Sequence, residues 1–287
     1  MTRWVMERRT NEGTSSPYMA RLILGVLEMR DMVISHVLRK DHYVWRGHFD
    51  DLYVPVQDAM GAARKHSARV VELVATHRAK IESGEIVSYG HNAVYINESI
   101  SEPLGEAFAS FVTSAVRAVK LHQDVLAFLD LDVGFLFAKP ASFEAGVKKL
   151  RESGQEILGD YLDATRAGWS ERLINRRNKL EHEGWRLDDV LHPPAPNGVP
   201  RMVEPEVEGV LVSEWVPEML GHVLAFVEEA VAYAVQRIMA PNNAALAEYP
   251  LESRDPTIVR RFYVVWPSLE PAKLWQLRYV PEGFPHS

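Results

Sequence analysis

The chain of 287 residues has no cysteine. Disulfides, thiolate zinc sites, iron–sulfur clusters and cysteine nucleophiles are excluded at once. The same absence is compatible with a reducing cytosol without requiring one. Long apolar runs are also missing. The nearest, "VLAFVEEAVAYAV", carries Glu228 and Glu229 at its centre, whereas a membrane-crossing helix needs about 20 largely apolar residues. In "MTRWVMERRTNEG" charge interrupts the chain before any apolar core, so no signal peptide is expected and the cytoplasm is the expected compartment. There is no excess of positive charge: the net charge of −7 argues against a general nucleic-acid coat protein and leaves room for a localised basic patch. Phosphate-cradling glycine loops, dinucleotide fingerprints and serine elbows are absent, so kinase, dehydrogenase and serine-hydrolase readings have no support. No internal repeat occurs, and low complexity is confined to the proline-rich "HPPAPNGVPR".

What is present is an ordinary globular balance of 47% hydrophobic and 25% charged residues. A chain of this length removes roughly three quarters of its unfolded surface from water on folding. Apolar residues recur at helical spacing over most of it. A loose polar arm is expected over 1–16, then a first helix from Pro17 to about Lys40. "DHYVWRGHFDDLY" breaks the period, and a second helix is predicted from about Val54 to Ser83, with Gly84 at its cap. Part of that helix is basic, with Arg64, Lys65, Arg69, Arg78 and Lys80, and His66 and His77 nearby. The segment 84–101 reads equally as strand or helix. A third helix spans about Glu102–Leu131, and Pro140 ends the apolar stretch after it. A fourth helix starts near Ser142 and is interrupted near Gly154, and a fifth reaches about Ala167. "AGWS" suggests a break there, with Ser170 capping a further helix that stops at Gly184. "RMVEPEVEGVLVSEW" has room for a short hairpin, and a strong final helix covers about Pro217–Met239. Beyond it, "TIVRRFYVVW" and "LWQLRYV" are rich in β-branched and aromatic residues and could pair across "PSLEPAK". The fold class expected is mainly α: an antiparallel helical bundle over 17–240 with a small β-rich extension, 241–287, packed on it.

One stretch carries candidate chemistry. "RRNKLEHEGW" runs from Arg176 to Trp185 and sets Arg177, Asn178 and His182 on the helix that ends at Gly184. With Leu173 at 0° on an ideal wheel, Leu180 falls at roughly −20°, Arg177 at roughly 40° and His182 at roughly 180°. The ordinary reading is a partly buried arginine paired with Glu181 one turn on, and an exposed histidine favoured by the helix C-terminus. Other arginines precede a histidine at similar spacing: Arg30 with His36, Arg117 with His122, Arg176 with His182, and Arg186 with His192. Only Arg177 is followed directly by asparagine; Arg30, followed by Asp31, comes second.

The arrangement resembles the signature of the HEPN family: an arginine, a polar residue (often asparagine) directly after it, and a histidine four to six positions beyond the arginine. Arg177, Asn178 and His182 match that signature residue by residue. The resemblance implies a helical bundle in which two copies of the motif meet in one cleft, hence a homodimer. It implies a metal-independent endonuclease acting on RNA, preferably single-stranded, with no cofactor and no metal. It further implies service as a toxin or phage-defence effector, with an antitoxin or defence partner. In such a site the RNA 2′-hydroxyl attacks its own phosphate. His182 would move protons, since the histidine reference pKa of about 6.5 lies near working pH. Arg177 would hold the non-bridging oxygens and Asn178 would orient the phosphate or the histidine. The second reading is a non-catalytic HEPN-like module that binds nucleotide, RNA or a protein. The third is an unrelated helical scaffold with Arg177 buried against Glu181.

Weaker candidates lie elsewhere. His42, His48, Asp50 and Asp51 could hold zinc or manganese, though they lack a familiar ligand spacing and a solvated loop explains them equally. His66 and His77 could touch RNA phosphates. Tyr263, Trp266, Trp275 and Tyr279 could offer stacking platforms, although packing of a small hairpin is the commoner use of such rings.

Overall fold

The computed structural model describes residues 20–38, 42–194, 200–250, 261–269 and 273–281. The expected arm over 1–16 lies outside them. A π-helical turn, Arg21–Gly25, runs straight into α1, Val26–His36. The second helix, α2, spans His42–Glu82 and begins twelve residues before the sequence reading placed it. "DHYVWRGHFDD" is therefore helix rather than a break. Its polar residues mask the stripe Trp45, Phe49 and Tyr53 at four-residue spacing, whose rings stack in sequence at 5.8 and 5.6 Å. The buried Tyr53 hydroxyl donates to the Leu22 carbonyl at 2.6 Å and ties α2 to the first turn of the chain. Pro55 sits inside this helix without ending it.

Gly84, at φ +78°, closes α2. The ambiguous segment that follows is a short antiparallel hairpin, β1 (Val87–Tyr89) with β2 (Val94–Ile96). It returns the chain into α3, Ser101–Phe128, which lies along α2. Pro140 opens α4 (Pro140–Glu152) as its first residue, where its missing N–H is no loss. Then comes α5, Glu156–Thr165. "AGWS" is not a break: Arg166–Ser170 form a π-helical turn that joins α5 directly to α6, Glu171–His182. Ser170 caps nothing, and its hydroxyl is buried without a partner. Because the helix is continuous, the first N–H groups of α6 are not orphans in need of a cap.

The hairpin β3 (Glu206–Val207) with β4 (Val210–Leu211) turns through Glu208 and Gly209, both at positive φ (58° and 80°), as a two-residue hairpin turn of this hand requires. It leads into α7, Val212–Met239, which is buried around most of its circumference and packs on α1, α2 and α3. Among the described residues, no helix is long and apolar enough to cross a membrane.

The tail pairs differently from the hairpin expected. Residues 257–260 lie outside the described set, and β6 (Phe262–Val265) pairs antiparallel with β5, Ala245–Glu248. Leu274 bridges to Ala247 of the same strand. The two aromatic segments therefore flank "ALAE" instead of each other. That strand was illegible because alanine has little β preference. Leu246, Phe262, Trp275 and Leu277 belong to the same hydrophobic cluster as the helices.

The core also holds charge. Glu228 accepts from Arg21 and from Arg261, the latter at 2.7 Å. Arg261 reaches Glu229 at 3.2 Å and Glu248 at 2.8 Å. The Tyr161 hydroxyl donates to Glu229 at 3.1 Å. These partners explain two adjacent glutamates inside an apolar helix.

Packing is close where α4 meets the preceding 3₁₀ turn, Gly134–Phe137. A Cβ on Gly146 would fall inside the Phe135 ring, which itself packs against Phe143 at 5.9 Å. Gly146→Ala is expected to destabilise the protein by about 1 kcal/mol net, since overpacking of about 1–3 kcal/mol outweighs the gain in helix propensity. Urea unfolding checks this; an unchanged or raised midpoint would mean the ring moves aside freely.

Candidate functional site

Helix α6 is held to the bundle along one face. Leu173 is fully buried, and the next buried residue is Arg176. Its guanidinium lies 4.3 Å over the Trp185 ring and meets Glu208 at 3.1 Å. Arg172 joins the same carboxylate at 2.8 Å and Glu218 of α7 at 3.1 Å. Burial pushes the Glu208 carboxyl up, but Arg172 and Arg176 outweigh it and hold it below the usual carboxylate value. The β3–β4 turn thus pins α6 through two arginines, and Trp185 packs on Phe108 of α3 at 5.9 Å.

The buried face is centred on the Arg176 side, at roughly −60° on the wheel with Leu173 at 0°. Arg177 is left at its margin, its side chain one quarter exposed. Its guanidinium pairs with Glu181, as expected of an i,i+4 pair, and also donates to the Asn178 Oδ1 at 3.3 Å. Asn178 and His182 stand one turn apart on the same stripe, and His182 is exposed. Gly184, at φ +66°, ends the helix just beyond. Asn178 and His182 therefore form a polar strip at the open end of α6, and Arg177, roughly 140° around the helix from His182, reaches it through its bond to Asn178. Arg176, the residue that fixes this orientation, was missed; the signal available was its place on the wheel, roughly 40° from Leu180 and 60° from Leu173.

The other spaced pairs serve the fold. Arg30 is buried and joins Asp31 at 2.9 Å and also Asp50, while Arg46 meets Asp31 at 2.6 Å. His122 is fully buried with neither ring nitrogen bonded, and burial lowers its pKa to about 3. It is a neutral core residue against Phe226. His42, His48, Asp50 and Asp51 are strung along the start of α2, where His48 stacks on Phe128 at 4.8 Å. Among the described residues, no group of three or more histidine or acidic side chains is placed to hold a metal ion. His66 is half-buried. Of the tail aromatics, Trp275 is buried, and Tyr279 lies parallel to His222 at 6.2 Å, which in turn stacks on Trp169 at 6.0 Å. Tyr263 packs on Tyr249 at 4.5 Å, and Trp266 alone of the four is exposed.

A second polar feature was not anticipated as a unit. His77, buried on α2, meets His192 with their Nε2 atoms 3.0 Å apart. Burial first, then the neighbouring His192, lowers the His77 pKa; burial lowers that of His192. Both rings are held neutral.

No family model, no curated protein and no solved structure matches the chain. The fold is a mostly helical bundle, with Arg177, Asn178 and His182 on the last turns of one of its helices.

Proposed function

We propose that the protein is a metal-independent RNA endonuclease of HEPN type, acting as a homodimer, with a toxin or phage-defence role. The observation that carries the reading is the orientation of α6. Arg176 takes the buried position, which leaves Arg177 bonded to Asn178 at the margin of that face and His182 exposed at the helix end, where a second copy can meet them. A single chain presents one histidine there, whereas cleavage by 2′-hydroxyl attack needs both a base and an acid. A second His182 across a two-fold axis supplies the other group.

In that cleft one His182 takes the 2′ proton and the other protonates the leaving 5′ oxygen. The Arg177 fork binds the phosphate oxygens as negative charge develops. Glu181 holds the guanidinium at the strip until the phosphate competes for it. Asn178, already bonded to Arg177, fixes its approach. Wild-type protein incubated with end-labelled single-stranded RNA in EDTA is expected to yield 2′,3′-cyclic phosphate and 5′-hydroxyl ends. Products with 3′-hydroxyl and 5′-phosphate ends would refute the mechanism, because internal attack cannot form them.

The Arg177–Glu181 pair satisfies the arginine without any ligand, as the reading as an unrelated helical scaffold expects; a further reading is a non-catalytic HEPN-like module. Binding of RNA without cleavage would select it.

A further inference from the structure

A groove of about 480 Å³ opens between the β1–β2 hairpin and the segment that carries His192. Its volume falls within the range of small-molecule sites. One wall is the hairpin face formed by Tyr89 and Val94, which are cross-strand neighbours. Both are left open to solvent, at 66% and 43% exposure. The opposite wall is formed by Pro194 and Pro200, with Asn92 at the hairpin tip. Tyr89 and the two prolines give the groove an aromatic and apolar lining.

His192 also lines the groove, and its tautomer follows from its partner. The His77 Nδ1 is buried with no hydrogen-bond partner. An unpaired buried acceptor is better tolerated than an unpaired buried N–H. His77 therefore carries its proton on Nε2 and donates it to the His192 Nε2 across 3.0 Å. That leaves the proton of neutral His192 on Nδ1, a hydrogen-bond donor on a residue that lines the groove. His77 is a positioning residue; His192 is the one that lines the groove.

We propose that this groove is a nucleobase subsite for single-stranded RNA, in which one base stacks on Tyr89 and takes a hydrogen bond from His192. A stacking face beside polar groups suited to base edges is how single-stranded nucleic acid is commonly held. The inference rests on the reading of the chain as an RNA-directed protein and extends it to a second place on the molecule.

The test is binding of a short fluorescein-labelled single-stranded RNA of mixed sequence, read by anisotropy in EDTA on a His182→Ala background so that the probe stays intact. Adding Tyr89→Ala is expected to weaken binding by about tenfold or more, the size of one lost base stack. Tyr89→Phe, which keeps the ring, is expected to bind like the parent. Tyr43→Ala, which removes an exposed aromatic outside the groove, is expected to change nothing. His192→Ala is expected to weaken binding as well; should it unfold, the exposed Tyr89 still decides the matter. Tyr89→Ala binding as tightly as the parent, or a parent with no affinity for the probe, would overturn the subsite. Cleavage by the wild type together with normal binding by Tyr89→Ala would remove the subsite and leave the nuclease reading standing. Tyr89-dependent binding by a protein that never cleaves would do the reverse.

Discussion

Arg261→Ala is expected to cost about 3–5 kcal/mol of stability, among the largest effects of any single change in this protein. Arg261 is almost wholly buried and touches Glu228, Glu229 and Glu248. Truncating it leaves Glu228 with Arg21 but strips Glu229 of its cation inside the core. Breaking a buried pair from one side costs far more than the pair contributes, because the surviving charge stays desolvated. Urea unfolding of wild type and variant measures the loss. A midpoint within experimental error of wild type would mean that water reaches Glu229.

The same cluster sets a pH dependence whose two glutamates act in opposite directions. Arg21 and Arg261 face Glu228, Glu229 and Glu248 in this cluster. Burial pushes the Glu228 carboxyl up, but both arginines outweigh it and bring its pKa down to about 2. Its contribution is present above the ordinary glutamate pKa and is lost as pH falls towards about 2. For Glu229 burial wins over Arg261, helped by the adjacent Glu228, and its pKa is raised. Its charge therefore opposes folding at neutral pH, and that cost is relieved as acid protonates it. Glu229→Gln should accordingly be tolerated where Arg261→Ala is not.

How much of this could be read beforehand follows from sequence distance. The helices were legible because their apolar period is local. The start of α2 was not, since Pro55 and the polar "HFDD" disguise the stripe of Trp45, Phe49 and Tyr53. The strand Ala245–Glu248 was hidden by its alanines, so the tail's aromatic segments were given each other as partners. The motif itself was visible as "RNKLEH", and the Arg177–Glu181 pair followed from i,i+4 spacing. The burial of Arg176 depends on Glu208, 32 residues away. The His77–His192 contact spans 115 residues and the Arg21–Glu228 pair 207. Pairings of that range leave no local pattern.

The second large effect concerns chemistry. His182 is exposed at the end of α6, so replacing it should leave the fold intact. A positioned acid or base contributes about 10²–10⁴-fold to rate, and in the proposed dimer His182→Ala removes both copies. Cleavage by the variant is therefore expected to fall by at least about a hundredfold, with an unchanged circular dichroism spectrum and melting temperature.

The most direct measurement is the rate of cleavage of labelled single-stranded RNA in EDTA by wild type and His182→Ala, purified in parallel. Cutting by the wild type and its loss in the variant is the expected result, and makes the strip on α6 a catalytic site. Equal cutting by both proteins, or cutting by neither, would contradict it.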